Sequence, residues 1–69
     1  MSRTPAAELA RLKLAFPGWS LRRVAASRGG GFRARRRLSD GRVQSLHGAT
    51  VAELEYRLRL LERREDELP

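Results

Sequence analysis

The segment FRARRRL at residues 32–38 alternates apolar and basic side chains. The two alternating sets are Phe32, Ala34 and Leu38 against Arg33, Arg35 and Arg37. Because successive side chains of a β-strand point to opposite faces of a sheet, a strand here has one apolar face and one cationic face. The chain must therefore bury one side of a sheet and leave the other side to solvent or to an anionic partner.

Two further strands are predicted beside this one, over residues 19–27 and 42–47. Between the second and third strands, Asp40-Gly41 is typical of a two-residue hairpin loop. Such a loop would pair Leu38 with Val43, Arg37 with Gln44 and Arg35 with Leu46. Val43 would then lie on the apolar face of the sheet, and Gln44 on the cationic face.

The three glycines at residues 29–31 leave the register of the first strand open. A two-residue turn at Gly29-Gly30 would place Trp19, Leu21 and Ala25 on the apolar face, together with Arg23 opposite Arg36. A three-residue loop would turn the strand over and place Val24 and Ala26 inward. Either loop concentrates arginines around the first hairpin.

A first helix is predicted over residues 5–16. Thr4 is a suitable N-cap, Pro5 suits the first helical position, and AAELARLKLA consists of strong helix formers. Pro17 disfavours helical geometry at the residue before it and ends the helix.

A second helix is predicted over residues 50–66, because Thr50 and Glu53 form a capping-box signature. Its inward stripe is Val51, Leu54, Leu58 and Leu61. Tyr56 and Leu60 lie away from that stripe and predict a second contact, with the first helix, a protein partner or another copy of the chain.

These elements predict a single α+β domain over residues 1–69, with the order α-β-β-β-α. A three-stranded antiparallel sheet carries both helices on its apolar face. At 69 residues the chain hides only about 60% of the surface of its unfolded state, so the core must be thin.

The net charge of +7 is confined to the middle of the chain. Residues 20–42 hold eight arginines and a single acid, Asp40, whereas the flanking segments together are neutral. A segregated positive field favours an anionic partner. We expect a nucleic acid, most readily duplex DNA, to contact Arg22, Arg28, Arg33, Arg35, Arg37 and Arg42. An acidic protein partner is the alternative, and the sequence does not distinguish DNA from RNA.

Catalytic chemistry has little support in the sequence. The chain has no cysteine and one histidine, His47, with no nucleophile paired to it. We therefore expect a non-enzymatic protein without cofactor or metal. The absence of cysteine favours the reducing cytoplasm. No apolar run approaches the ~20 residues of a membrane span, and the charged N-terminal segment does not resemble a signal peptide.

The order of elements resembles the double-stranded-RNA-binding fold, whose last helix also follows a short glycine-containing loop, here HGATVAEL. That family contacts phosphate through lysines at the start of its last helix, where this chain has Glu53 and Glu55. Residues 19–62 are also similar to the arm-binding domains of phage integrases, which bind DNA with a three-stranded sheet, and to HicB-type antitoxins. FPGWSL and the T-x-x-EL helix start resemble small uncharacterised actinobacterial proteins.

Overall fold

The computed structural model describes the backbone of residues 4–67 and the side chains of residues 4–64, and it confirms the predicted α-β-β-β-α fold. The sheet is antiparallel, with the strand order β1-β2-β3. A 3₁₀ turn at Ala26–Arg28 lies in the connection between β1 and β2. The elements are α1 at Pro5–Ala15, β1 at Ser20–Arg23, β2 at Phe32–Arg37, β3 at Val43–Gly48 and α2 at Val51–Glu67.

The helix starts follow the predicted caps. The Thr4 hydroxyl oxygen accepts a hydrogen bond from the Ala7 backbone N–H at 3.1 Å, and the Thr50 hydroxyl oxygen accepts one from the Glu53 N–H at 3.1 Å. Each bond satisfies an N–H group that has no partner inside its helix. The helix ends differ from the predicted ones by a single residue.

Both helices pack on one face of the sheet. α1 contacts β1, while α2 contacts β2 and β3. The core contains inward side chains of all these elements except β3, whose Leu46 is only partly buried against it. The buried hydrophobic residues are Leu9, Leu12, Phe16, Trp19, Leu21, Phe32, Ala34, Val51, Leu54 and Leu58. Within residues 4–67, both helices lie on this one face, so the side chains of the opposite face are left at the surface.

The predicted register between β2 and β3 is wrong by one residue. The strands pair Arg37 with Val43 and Arg36 with Gln44, and the Leu38 N–H donates to the Arg42 carbonyl at 2.8 Å. The loop therefore has three residues, and it closes through Gly41, whose φ of +90° is the left-handed conformation usual in such loops. A shift of one residue exchanges the faces. Val43 consequently lies on the open face, 47% exposed.

The first strand ends at Arg23, four residues earlier than predicted. The Ala25 carbonyl accepts hydrogen bonds from the N–H groups of Arg28 at 2.8 Å and Gly30 at 3.0 Å, which close a compact turn in place of strand pairing. Both proposed glycine turns are therefore wrong, and Arg23 lies opposite Phe32. The inward placement of Trp19 and Leu21 is confirmed, but Ala25 and Ala26 are exposed.

Within residues 4–67, neither helix combines the length and the apolar character needed to cross a membrane.

A side chain at position 31 is predicted to destabilise the connection between β1 and β2. Its φ is +77°, and a Cβ atom there would lie 2.6 Å from the Gly48 carbonyl oxygen. Gly31→Ala should lower the free energy of unfolding by about 1 to 3 kcal/mol, measured by urea denaturation. Gly18→Ala is the control, because a Cβ at Gly18 meets nothing within 4 Å and its φ is not in the left-handed region. Equal effects of the two changes would contradict this account.

Candidate nucleic-acid interface

The open face of the sheet brings together four of the six arginines predicted to contact nucleic acid. β1 supplies one of them and the central strand β2 supplies three. We call this set the arginine face: Arg22, Arg33, Arg35 and Arg37. Apart from the pair of Arg22 and Arg33, their neighbours across the strands are uncharged or weakly basic. Arg33 lies opposite His47 on its other side, Arg35 opposite Ser20 and Ser45, and Arg37 opposite Val43.

No carboxylate belongs to β1, β2 or β3, which the structure describes completely. Arg42, Arg57 and Arg59, which lie outside this face, each form a salt bridge with a nearby carboxylate. Within the arginine face, Arg22 and Arg33 are directly opposite each other. Like charges in directly opposed positions destabilise a sheet, so this face gains stability when an anion binds.

Arg33 has an unsatisfied hydrogen-bond donor. Its Nε atom is inaccessible to solvent and has no hydrogen-bond partner, although the residue as a whole is only half-buried. A buried donor without an acceptor costs about 1 to 3 kcal/mol.

Arg28 lies at the end of the arginine face, in the 3₁₀ turn. Arg28, Arg22 and Arg33 line one depression together with Arg23. The turn is held to the sheet by the Val24 N–H, which donates to the Gly31 carbonyl at 2.8 Å. A second link joins His47 Nε2 and the Gly30 carbonyl oxygen at 3.1 Å, with the ring nitrogen donating. The sequence prediction did not assign a role to Arg23 or His47.

Arg42 is separated from the arginine face. It lies in the loop after β2, where its Nε donates to Asp40 Oδ2 at 2.6 Å and its backbone N–H donates to Asp40 Oδ1 at 3.0 Å. Its side chain is 78% exposed, but its charge is already paired. Asp40, two residues earlier, was the sequence signal for this pairing.

Arg36 points to the helix side of the sheet. Its guanidinium carbon lies 4.5 Å from the centre of the Trp19 ring, and its Nε donates to Gln44 Oε1 at 2.7 Å. A cation over an indole face is attracted by the ring quadrupole. Arg36 therefore closes the edge of the core, and the predicted pairing with Arg23 does not form.

Tyr56 and Leu60 are on the surface opposite the arginine face, because α2 covers the other side of the sheet. They are 67% and 45% exposed. The first helix packs along a different side of α2, near Ala52, Glu55 and Arg59. Within the described chain, the predicted second contact of these two residues is therefore not made by α1.

Comparison of the chain with protein-family models, curated proteins and solved structures found no match. The resemblances noted from the sequence therefore stay predictions. Among the residues that the structure describes, no three acidic or histidine side chains are grouped so that they could hold a metal ion. The arginine face is the strongest concentration of site chemistry in the described part of the molecule.

Repulsion within the arginine face predicts a stability effect. Arg22→Gln removes the charge opposite Arg33 and should raise the free energy of unfolding by about 0.2 to 1 kcal/mol at low ionic strength. The gain should vanish near 1 M salt, where the Debye length is about 3 Å. Arg57→Gln is the control, because it breaks an ion pair with Glu53 and should lower stability by a few tenths of a kcal/mol. Denaturation of both variants at two salt concentrations tests this, and destabilisation by Arg22→Gln at low salt would refute it.

Proposed function

We propose that this protein is a non-enzymatic nucleic-acid-binding module that binds duplex DNA through the arginine face. The observation that carries the proposal is the convergence of Arg22, Arg33, Arg35 and Arg37 on a sheet face without carboxylates. Guanidinium groups bind phosphate oxygens bidentately and can also donate to the O6 and N7 atoms of guanine.

The spacing of the arginines suits an extended polyanion. Arg33, Arg35 and Arg37 follow one another at every second position of β2, so their Cα atoms are about 6.5 to 7 Å apart and the row spans about 13 to 14 Å. A two-stranded β-ribbon fits the B-DNA major groove, which is about 12 Å wide. The row can therefore lie within the groove or cross its phosphate edge.

Two considerations favour DNA over duplex RNA. The major groove of A-form RNA is deep and narrow, so a sheet face has little access to its base edges. In addition, the first turns of α2 carry Glu53 and Glu55, each paired with an arginine of the same helix, and such acids do not attract phosphate. We place this activity in the cytoplasm, as the absence of cysteine favours.

Binding is predicted to depend steeply on salt. If Arg28 and the four arginines of the arginine face each neutralise one phosphate, the logarithm of the association constant should fall with the logarithm of salt concentration at a slope of about −4 to −5. Arg35→Ala should weaken binding and reduce that slope by about 1. Fluorescence anisotropy with a labelled duplex, between about 50 and 200 mM salt, measures both quantities.

Arg57→Ala is the matched control for this experiment. It removes the same charge from α2, where Arg57 is paired with Glu53, and should leave the salt slope unchanged. Equal losses in Arg35→Ala and Arg57→Ala would indicate a nonspecific effect of net charge. No binding at about 50 mM salt would refute the proposed function.

A second candidate function is a protein-interaction module, such as an antitoxin-like regulatory adaptor. The observation favouring it is the exposure of Tyr56 and Leu60 at adjacent turns of α2. Large apolar side chains, aromatic ones especially, are common at the centre of protein interfaces. In this case the arginine face would attract an acidic protein surface, or α2 would contact another copy of the chain.

Leu60→Asp distinguishes the two functions. The residue is 45% exposed, so the variant should fold with a melting temperature within a few degrees of the parent. If α2 is a protein interface, the change should abolish a stoichiometric complex in sedimentation or pull-down experiments while Arg35→Ala preserves it. A complex that is lost in Arg35→Ala and kept in Leu60→Asp would exclude α2 as the interface and place the protein contact on the arginine face.

A further inference from the structure

A depression at the β1 edge of the arginine face is lined by four arginines and no acidic residue. Its lining residues are Arg22, Arg23, Val24, Ala25, Arg28 and Arg33. We propose that this depression binds a terminal phosphate monoester of a nucleic-acid strand, as found at a strand end or a nick. The inference rests on the proposed function and specifies which part of the nucleic acid is recognised.

The size of the depression suits a phosphate group. Its volume is about 260 Å³, just below the ~300 to 1,000 Å³ of typical small-molecule sites. Liquid water occupies about 30 Å³ per molecule, so the space holds a phosphate with a few waters. Its walls carry no aromatic side chain on which a base could stack.

The depression lacks a counter-charge. Arg22 is directly opposite Arg33, and no acidic residue lines the space beside them. A bound phosphate supplies the missing negative charge and relieves the repulsion between the two guanidinium groups.

The connection that carries Arg28 is fixed before any ligand binds. The Ala25 carbonyl accepts two hydrogen bonds from this turn, and His47 Nε2 donates to the carbonyl oxygen of Gly30. Consecutive glycines at 29–31 adopt positive φ angles that make this closure possible. A preorganised site loses less entropy on binding than a mobile one.

The positive charge of the depression favours the phosphate at the end of a strand over a phosphate in the interior of a strand. An internal phosphodiester carries one negative charge and two free oxygens. A terminal monoester carries a charge of about −1.5 to −2 at neutral pH and three strong acceptor oxygens. Arg22, Arg28 and Arg33 line one small space, and this concentration of positive charge matches the monoester better than the diester.

The test compares duplexes of one sequence that end in a 5′-phosphate, a 3′-phosphate or hydroxyl groups only, by fluorescence anisotropy at about 150 mM salt. We expect one phosphorylated duplex to bind at least about tenfold more tightly than the hydroxyl duplex, which corresponds to about 1.4 kcal/mol. Arg28→Ala should reduce that ratio to about 1. Arg35→Ala, away from the depression, should weaken binding to all three duplexes and keep the ratio.

This experiment separates failure of the strand-end site from failure of the proposed DNA-binding function. Equal affinity for all three duplexes, with the expected salt dependence, would overturn the strand-end site and leave the proposed function intact. No binding of any duplex would overturn both. The site would also be overturned if Arg28→Ala, folded with the circular dichroism spectrum of the parent, left the affinity ratio of phosphorylated to hydroxyl duplex unchanged.

Discussion

The alternation of side chains along β2 is the constraint on which the other features of the molecule depend. As the central strand, β2 is hydrogen-bonded on both sides, and its residues Phe32 and Ala34 are buried under the helices. Burial of those two side chains fixes the orientation of the strand. Arg33, Arg35 and Arg37 must then project from the opposite face, whatever their mutual repulsion costs. The arginine face is thus a geometric consequence of the core.

Several arginines outside the arginine face already have partners within the molecule. Arg42 is paired with Asp40 in a turn, Arg57 and Arg59 are paired with glutamates on α2, and Arg36 covers the Trp19 ring. The arginine face has no such partners among its neighbouring strands. Since each unit of unbalanced charge on a surface raises the local concentration of anions, the face and the adjoining Arg28 depression are where an anionic ligand is expected.

Sequence reasoning predicted the features that depend on local chemistry. The alternation in FRARRR specified both faces of β2, and Thr4 and Thr50 specified the helix starts. Sequence reasoning failed where tertiary contacts determine the strand register and the strand ends. Asp40-Gly41 is compatible with either a two-residue or a three-residue loop, and the choice of the two-residue loop placed Val43 on the wrong face. β1 ends early because the Ala25 carbonyl accepts hydrogen bonds from the 3₁₀ turn and its next residues. No clear sequence signature predicts these bonds.

The most direct measurement of the central claim is a titration of isotope-labelled protein with duplex DNA, followed through the Nε–Hε resonances of the arginine side chains. If DNA binds the arginine face, the resonances of Arg22, Arg33, Arg35 and Arg37 should shift on addition of DNA, while those of Arg57 and Arg59 remain in place. Shifts confined to the helical surface, or spread equally over all arginines, would contradict that claim.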